Sequence, residues 1–258
     1  MKQFITVIVL GFFLNTVSFA QSKTLFFNTQ EFAPFNYKKN GVAAGPVVEI
    51  INEVCQQIQL KCEFNVLPWR RAQKEVEEGL SDALFVVGKN KKREEWLHFS
   101  LPIIKTEYGF FVLKLNKLSF KDISDIQGYQ IGVFGPSNTS YSLNKIGVKL
   151  VEKGFSAIDI TMSYDDVLSF KMLNKKNRSL QAVYSNKDVG NQIIKKHELK
   201  NLKYLGKHKE LNYYIAFSKK TVPVEIVEKF NKQLSEIYHS KKLKQILDKY
   251  SLRGVNIE

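Results

Sequence analysis

Apolar positions along this chain recur in two rhythms that take turns, and the alternation predicts strands and helices in succession. Lys23–Asn28, Cys62–Leu67 and Asp82–Val87 are short runs of strand character, the last apolar enough to be buried on both faces. Two helical patterns separate them. Pro46 opens the first, whose apolar residues Val47, Ile50, Ile51, Val54 and Ile58 follow the three-four spacing. Trp69–Gly79 is the second, ended by a glycine. Phe32-Ala33-Pro34-Phe35 reads as loop and Asn40-Gly41 as a tight turn. The strand-helix-strand-helix-strand order implies a parallel sheet.

A second alternation follows a strand predicted at Tyr108–Leu115. Gln130–Phe134 reads as a strand, Ser140–Lys145 as helical and Val148–Val151 as a strand. Ser163-Tyr164-Asp165-Asp166 has the form of a helix cap, the Ser163 hydroxyl accepting from the fourth residue's amide, and Val167, Phe170 and Leu173 continue as an apolar stripe. Leu180–Tyr184 is a buried strand, Asp188–Lys196 a helix, and Lys203–Leu205 and Asn212–Phe217 two β runs. The chain ends helically, with Val227, Phe230, Leu234, Ile237 and Tyr238 on one face, then Leu243 to Tyr250. Two successive α/β units result. Two lobes around a cleft are a common binding architecture.

The first twenty residues obey a different logic. Met1-Lys2 is a basic start, Phe4 to Leu14 is apolar, and Val17-Ser18-Phe19-Ala20 puts small residues at the −3 and −1 positions before Gln21. This is the layout of a signal peptide cleaved after Ala20. Its apolar stretch is too short to span a bilayer, and no later stretch approaches eighteen uninterrupted apolar residues. With no cysteine at the cleavage point, lipid attachment there is not expected. The expected product is soluble and exported.

Composition narrows the class. Of 258 residues 44% are hydrophobic and 25% charged, which excludes a disordered chain or a fibre. The formal charge of +14, or +13 without Lys2, raises nucleic acid or membrane as partners. The basic segments, Lys89 to Arg93, Lys171 to Arg178 and Lys241 to Lys244, are separate, and no zinc-finger or aromatic RNA-binding motif accompanies them. They read as solvated surface, and export removes cytosolic DNA. No nucleic-acid partner is expected.

The two cysteines, Cys55 and Cys62, have no histidine nearby to complete a metal set. In an oxidising compartment they read as a disulfide, with a pair of buried thiols as the alternative. His98, His197, His208 and His239 are scattered, with no metal-ligand spacing and no nucleophile elbow, so no metal or cofactor is expected.

Several short motifs, in this order and spacing, resemble a known family. They are Phe32-Ala33-Pro34-Phe35, Gly45 before the first helix, Cys55 with Cys62, Gly79 with Asp82-Ala83, and Arg93 followed by Phe99-Ser100. Gly128 to Val133, Gly135-Pro136-Ser137-Asn138 and Gln181 to Asn186 continue the series. From about Thr24 to Tyr250 the chain resembles the family 3 periplasmic solute-binding proteins, the polar-amino-acid group related to histidine and lysine-arginine-ornithine binders. The resemblance implies an α/β, two-lobed type II periplasmic-binding fold, each lobe a mostly parallel sheet flanked by helices, with two hinge crossings. Lobe 1 would comprise residues 21–109 and 208–258, and lobe 2 residues 110–207. It also implies a Cys55–Cys62 disulfide, a small ligand carrying a carboxylate, an ABC permease or receptor in the inner membrane, and amino acid transport in the periplasm by a monomer without enzymatic activity.

The implied site follows residue by residue. Arg93 matches the arginine that takes the ligand's α-carboxylate, for which a planar guanidinium offers paired donors. Phe32 and Trp69 match the aromatic positions around the ligand's side chain, and Ser137 and Asn138 a hydroxyl-bearing turn at a helix start. Three departures stand out. Val86-Val87-Gly88-Lys89-Asn90 replaces a Ser/Thr-rich stretch, leaving the Gly88 backbone as the substitute contact. Asn186 stands where the family has the aspartate for the α-ammonium, and an amide cannot balance a buried ammonium. Arg70 adds positive charge at the cleft edge. Together they imply a ligand with an acidic or polar group and no free α-ammonium, unless Glu31 or Asp165 supplies the missing carboxylate. Two other classes compete. A free-standing sensory binder would present its closed form to a receptor. Cyclohexadienyl dehydratases share the fold, and an enzyme of that kind would need a general acid, for which Glu31, Asp165 and His98 are the nearest candidates.

Overall fold

The computed structural model describes residues 24–175 and 180–255. The expected signal peptide, residues 1–20, lies outside the described residues. Strand β1 (Thr24–Thr29) leads through the loop at Phe32 into the hairpin of β2 (Tyr37–Lys39) and β3 (Val42–Ala44), turned by Asn40-Gly41. Helix α1 (Pro46–Gln57) starts at Gly45, whose φ of 116° and close approach require glycine: a Cβ there would lie 2.8 Å from the Phe35 carbonyl oxygen. Its apolar face, including Val47, Ile50, Ile51 and Val54, is buried. Strand β4 (Lys61–Val66) follows, tied to α1 by the Cys55–Cys62 disulfide with a Cα–Cα distance of 6.3 Å. Helix α2 (Trp69–Glu78) ends on left-handed Gly79, φ 84°, and β5 (Ala83–Gly88) is buried along its whole length. The short helix α3 (Lys91–Glu94) and strand β6 (Leu97–Phe99) complete this unit.

Strand β7 (Ile104–Leu113) carries the chain into the second unit. There β8 (Gln130–Phe134), α4 (Asn138–Glu152), β9 (Asp159–Ser163), α5 (Asp166–Asn174), β10 (Ala182–Asn186) and α6 (Lys187–Lys196) alternate. Strand β11 (Leu202–Ser218) returns it, and α7 (Val224–His239) and α8 (Lys242–Asp248) close on the first unit, where Phe230 meets Phe217 at 5.1 Å.

Among the described residues the strands form one nine-stranded sheet in the order β4-β1-β5-β11-β7-β10-β8-β9, with β6 on β11. Its outer thirds are parallel, β4-β1-β5 and β10-β8-β9. The long strands β7 and β11 run antiparallel between them and, among the described residues, form the sheet connection joining two lobes. The expected lobe limits at 109 and 208 fall inside these two strands, where Gly109 is paired with Lys207. A buried core runs through both lobes, from Phe27, Phe85 and Phe217 to Phe110, Phe111 and Tyr184.

Three local expectations are corrected. Val148–Val151 belongs to α4, and the strand is β9, eleven residues later. The β-branched residues there suggested a strand, but Leu143, Ile146 and Leu150 are the buried ones, at helical spacing, and Val148 and Val151 face outward. Lys203–Leu205 and Asn212–Phe217 are one continuous strand, because both stretches pair with β7 across two irregularities of register. The cap of α5 is Asp165, which accepts from the Val167 amide, while the Ser163 hydroxyl accepts from the Asp165 amide. None of the described helices is long and apolar enough to cross a membrane.

Candidate functional site

The first wall of the cleft starts from a distortion in β5. Val86 has φ 56°, a left-handed conformation that a β-branched residue adopts only under constraint. Opposite it the pairing of β11 skips a residue, so Val86 is the extra residue of a bulge. Beyond the bulge Gly88 ends the strand, and Asn90 caps α3 by accepting from the Arg93 amide at 2.9 Å. This brings the Arg93 side chain back to the Gly88 carbonyl at the end of β5.

Arg93 is 7% exposed. One guanidinium nitrogen, Nη1, donates to the Gly88 carbonyl at 2.8 Å, and Nη2 donates to Gln73 Oε1 at 2.8 Å. The Trp69 ring stacks on it, 5.4 Å from Cζ to the ring centre. Burial lowers its pKa to about 10, with the Tyr108 and Tyr213 hydroxyls pulling it back up, so it stays charged at neutral pH. Among the described residues no carboxylate pairs with it.

The hinge strands supply Tyr108 and Tyr213, both buried, with hydroxyls 3.5 Å apart. Phe32 packs edge-on to Tyr213 at 5.8 Å. From lobe 2, Ser137 caps α4: its hydroxyl accepts from the Thr139 and Ser140 amides and donates to the Phe134 carbonyl. Next to it Asn138 Oδ1 accepts from Asn90 Nδ2 at 2.6 Å, a hydrogen bond between the lobes. Gly88 faces the same amide so closely that a Cβ would lie 2.3 Å from Asn138 Nδ2. The lobes meet here without room for a methyl group.

These groups border a half-open cavity of about 30 Å³ lined by Phe32, Trp69, Gly88, Arg93, Ser137, Asn138 and Asn186. Seven residues chosen from the sequence are therefore brought together. Glu31 and Arg70 line instead an adjoining groove of about 680 Å³, which shares Phe32 and Trp69 with the cavity. Glu31 accepts from the Lys38 amide at 2.9 Å. Asp165 also lines this groove, whereas His98 lies on β6 against Phe217 and borders neither space.

Asn186 is fully engaged by its own surroundings. Its Oδ1 accepts from the Asp188 and Val189 amides as the cap of α6, and Nδ2 donates to Thr106 Oγ1 at 2.9 Å and Tyr213 OH at 3.3 Å. The sequence reading overlooked a different acid. Asp166, the first residue of α5, lines both the cavity and the groove. Burial raises its carboxyl to about 7, the neighbouring Asp165 charge pushes the same way, and a hydrogen bond from Ser185 opposes both. It passed unnoticed as part of a helix cap; the pairing of two acids beside the cap was the available signal. Tyr108 and Tyr213 had no local signal at all. No group of His, Cys, Asp and Glu that could hold a metal ion occurs among the described residues.

The profile of the bacterial extracellular solute-binding proteins, family 3, matches residues 26–253. The chain belongs to this family. Among curated proteins, this family 3 solute-binding protein is 24% identical over 244 residues to the probable amino-acid-binding protein YxeM of Bacillus subtilis, covering 87% of this chain and 82% of that one. Its fold is that of a histidine kinase sensor domain similar to periplasmic binding proteins, with TM-score 0.79, 16% identity and coverage of 91% and 99%. The same holds for a structure from work on glutathione import through GshT and the cystine ABC importer TcyBC of Streptococcus mutans, with TM-score 0.77, 20% identity and coverage of 89% and 95%. Such a family member is a two-lobed α/β binding protein. Here its cleft offers a fixed guanidinium at one wall and a carboxyl at another, with two phenols and two large aromatic faces between them.

Proposed function

We propose that this chain binds an amino acid or related carboxylate between its lobes and delivers it to an ABC permease. The observation that carries this is Arg93: a buried, charged guanidinium held by Gly88, Gln73 and Trp69, facing a cavity built from both lobes and lacking a carboxylate of its own. A buried charge of this kind is stabilised when an anion arrives with matching geometry. Ser137 and Asn138 extend the anion's surroundings from lobe 2, so the carboxylate favours the closed arrangement over the open one, and closure is a hinge motion about β7 and β11. The lobes that move would be residues 21–109 with 208–258 against residues 110–207. We further infer export to the periplasm with cleavage after Ala20, and action as a monomer.

The test is a thermal-shift screen of amino acids, opines, short peptides and organic acids, followed by calorimetry. Ligands stabilise the folded protein according to their occupancy. The tightest ligand should raise the melting temperature of the wild type and leave Arg93→Ala unmoved. An equal shift in Arg93→Ala would refute the site. One feature favours a second reading: burial raises the Asp166 carboxyl to about 7 inside the cleft, the range a general acid needs. Prephenate turnover abolished by Asp166→Asn would establish a dehydratase instead.

A further inference from the structure

The cavity that holds Arg93 is also lined by a half-buried acid of the opposite lobe, Asp166. Arg93 comes from α3 of lobe 1 and Asp166 from the start of α5 of lobe 2, and both line the same small, half-open cavity. They do not form a salt bridge with each other, and among the described residues neither has another ion-pair partner. Tyr108 and Tyr213 line the same cavity, with hydroxyls 3.5 Å apart. The four residues surround one small volume, and the guanidinium and Asp166 charges both act on both phenols. A site built this way has one positive wall and one that is negative once Asp166 is ionised, each lacking a counter-charge of its own.

We infer that Asp166 is the subsite for the ligand's cationic nitrogen, so that the ligand is a zwitterion held between Arg93 and Asp166. This rests on the reading that Arg93 takes the ligand's carboxylate. It moves the nitrogen away from the strand-end position occupied by Asn186. That amide cannot serve, because its oxygen is used by the α6 amides and its NH₂ by Thr106 and Tyr213. The expectation of a ligand without an ammonium turned on position 186, with Glu31 or Asp165 as the possible replacements; the carboxylate that lines the cavity is that of Asp166. Since Asp166 borders the outer groove as well, the nitrogen is placed at the junction of cavity and groove rather than at the hinge. The neighbouring Asp165 lines only the groove and adds negative potential at that junction. The chemical class is therefore an α-amino acid or another compact molecule joining a carboxylate to an ammonium. A monofunctional organic acid would leave the Asp166 carboxylate without a counter-charge, held only by the hydrogen bond from Ser185.

The test compares the twenty common L-amino acids with matched carboxylic acids lacking the amino group, by calorimetry at pH 8. Wild type, Asp166→Asn, Asp166→Ser and Arg93→Ala are measured, each checked for an intact unliganded melting transition. Wild type should prefer its best amino acid over the deaminated partner by at least roughly 30-fold, as removal of one member of a buried charge pair does. Both Asp166 variants should lose that preference, mainly through weaker binding of the amino acid, and should bind the deaminated acid at least as well as wild type. A preference that survives unchanged in both variants overturns the assignment of Asp166. Equal binding of the two compounds by wild type also overturns it. Failure of the underlying reading looks different: no amino acid binds wild type, or Arg93→Ala binds as wild type does. Binding sensitive to Arg93 but indifferent to Asp166 defeats only the inference made here.

Discussion

Substituting Gly88 with alanine perturbs the closed state specifically. Gly88 and Asn138 belong to different lobes, and the added Cβ would lie 2.3 Å from Asn138 Nδ2, far inside contact distance. The other Asn138 atoms are 3.4 and 3.8 Å away, so the backbone can stay while the amide swings aside. That swing breaks the 2.6 Å hydrogen bond from Asn90 Nδ2 to Asn138 Oδ1. A hydrogen bond of this kind contributes about 1 kcal/mol net, so closure, and with it affinity, should weaken about 5-fold. The open state lacks the contact, and Gly88 has no left-handed backbone to strain, so the unliganded protein should melt at the wild-type temperature or slightly above. Calorimetry with the tightest amino acid of the panel measures the effect in wild type, Gly88→Ala, Asn138→Ala and the double variant. In the Asn138→Ala background the amide is gone, and Gly88→Ala should cost nothing further. An equal cost in both backgrounds, or none in either, would refute the contact as the cause.

Other predictions follow from the same geometry. Arg93→Lys keeps the charge but loses the two-pronged geometry held by Gly88 and Gln73, and should bind the carboxylate at least about 10-fold more weakly by calorimetry. Replacing Cys55 and Cys62 together by serine opens an eight-residue loop, counted from the sequence separation of 7; on the chain-entropy model this costs about 2.5 kcal/mol, read as a melting point lower by roughly 5–10 °C. Asn186→Asp keeps the cap of α6 but loses the donations to Thr106 and Tyr213 and buries a charge, so the melting temperature should fall without any gain in amino-acid affinity. A gain would mean that the strand-end position does bind the nitrogen. The acid at position 166 sets a pH dependence. Its carboxyl lies at about 7 against an ordinary 3.8, so between these values the closed unliganded form holds more protons than the unfolded chain and loses stability as pH rises. Pairing with an ammonium requires the charged form, so affinity for a zwitterion should be full above about 7 and fall by up to about 10-fold per unit below it. Calorimetry from pH 5.5 to 8 would show a flat affinity if Asp166 stays outside the site.

How much of this was legible in the sequence depends on how far each decision reaches along the chain. The alternation of strands and helices is local, and α1, α2, β5, β8, β10, α6 and α7 lie where their apolar spacing predicts. Arg93, Phe32 and Trp69 were recognisable because a motif places them at fixed offsets from strands and turns. Where two local signals conflicted, as at Val148–Val151, only packing decided, because burial of Leu143, Ile146 and Leu150 outweighs the β preference of exposed valines.

The charges of the cleft lie beyond local reading. Asp166 reads as one more polar residue at a helix start until burial near Ser185 and the two phenols makes its charge costly. Asn186 reads as an unfilled ammonium site until Thr106 and Tyr213, 80 and 27 residues away in sequence, are seen to take its amide. By itself the sequence determined an exported-looking α/β chain with a family's framework and one cleft arginine. The tertiary structure alone decided which acid faces that arginine, since desolvation and hydrogen-bond occupancy belong to residues that meet only when β7, β10, β11 and α5 come together.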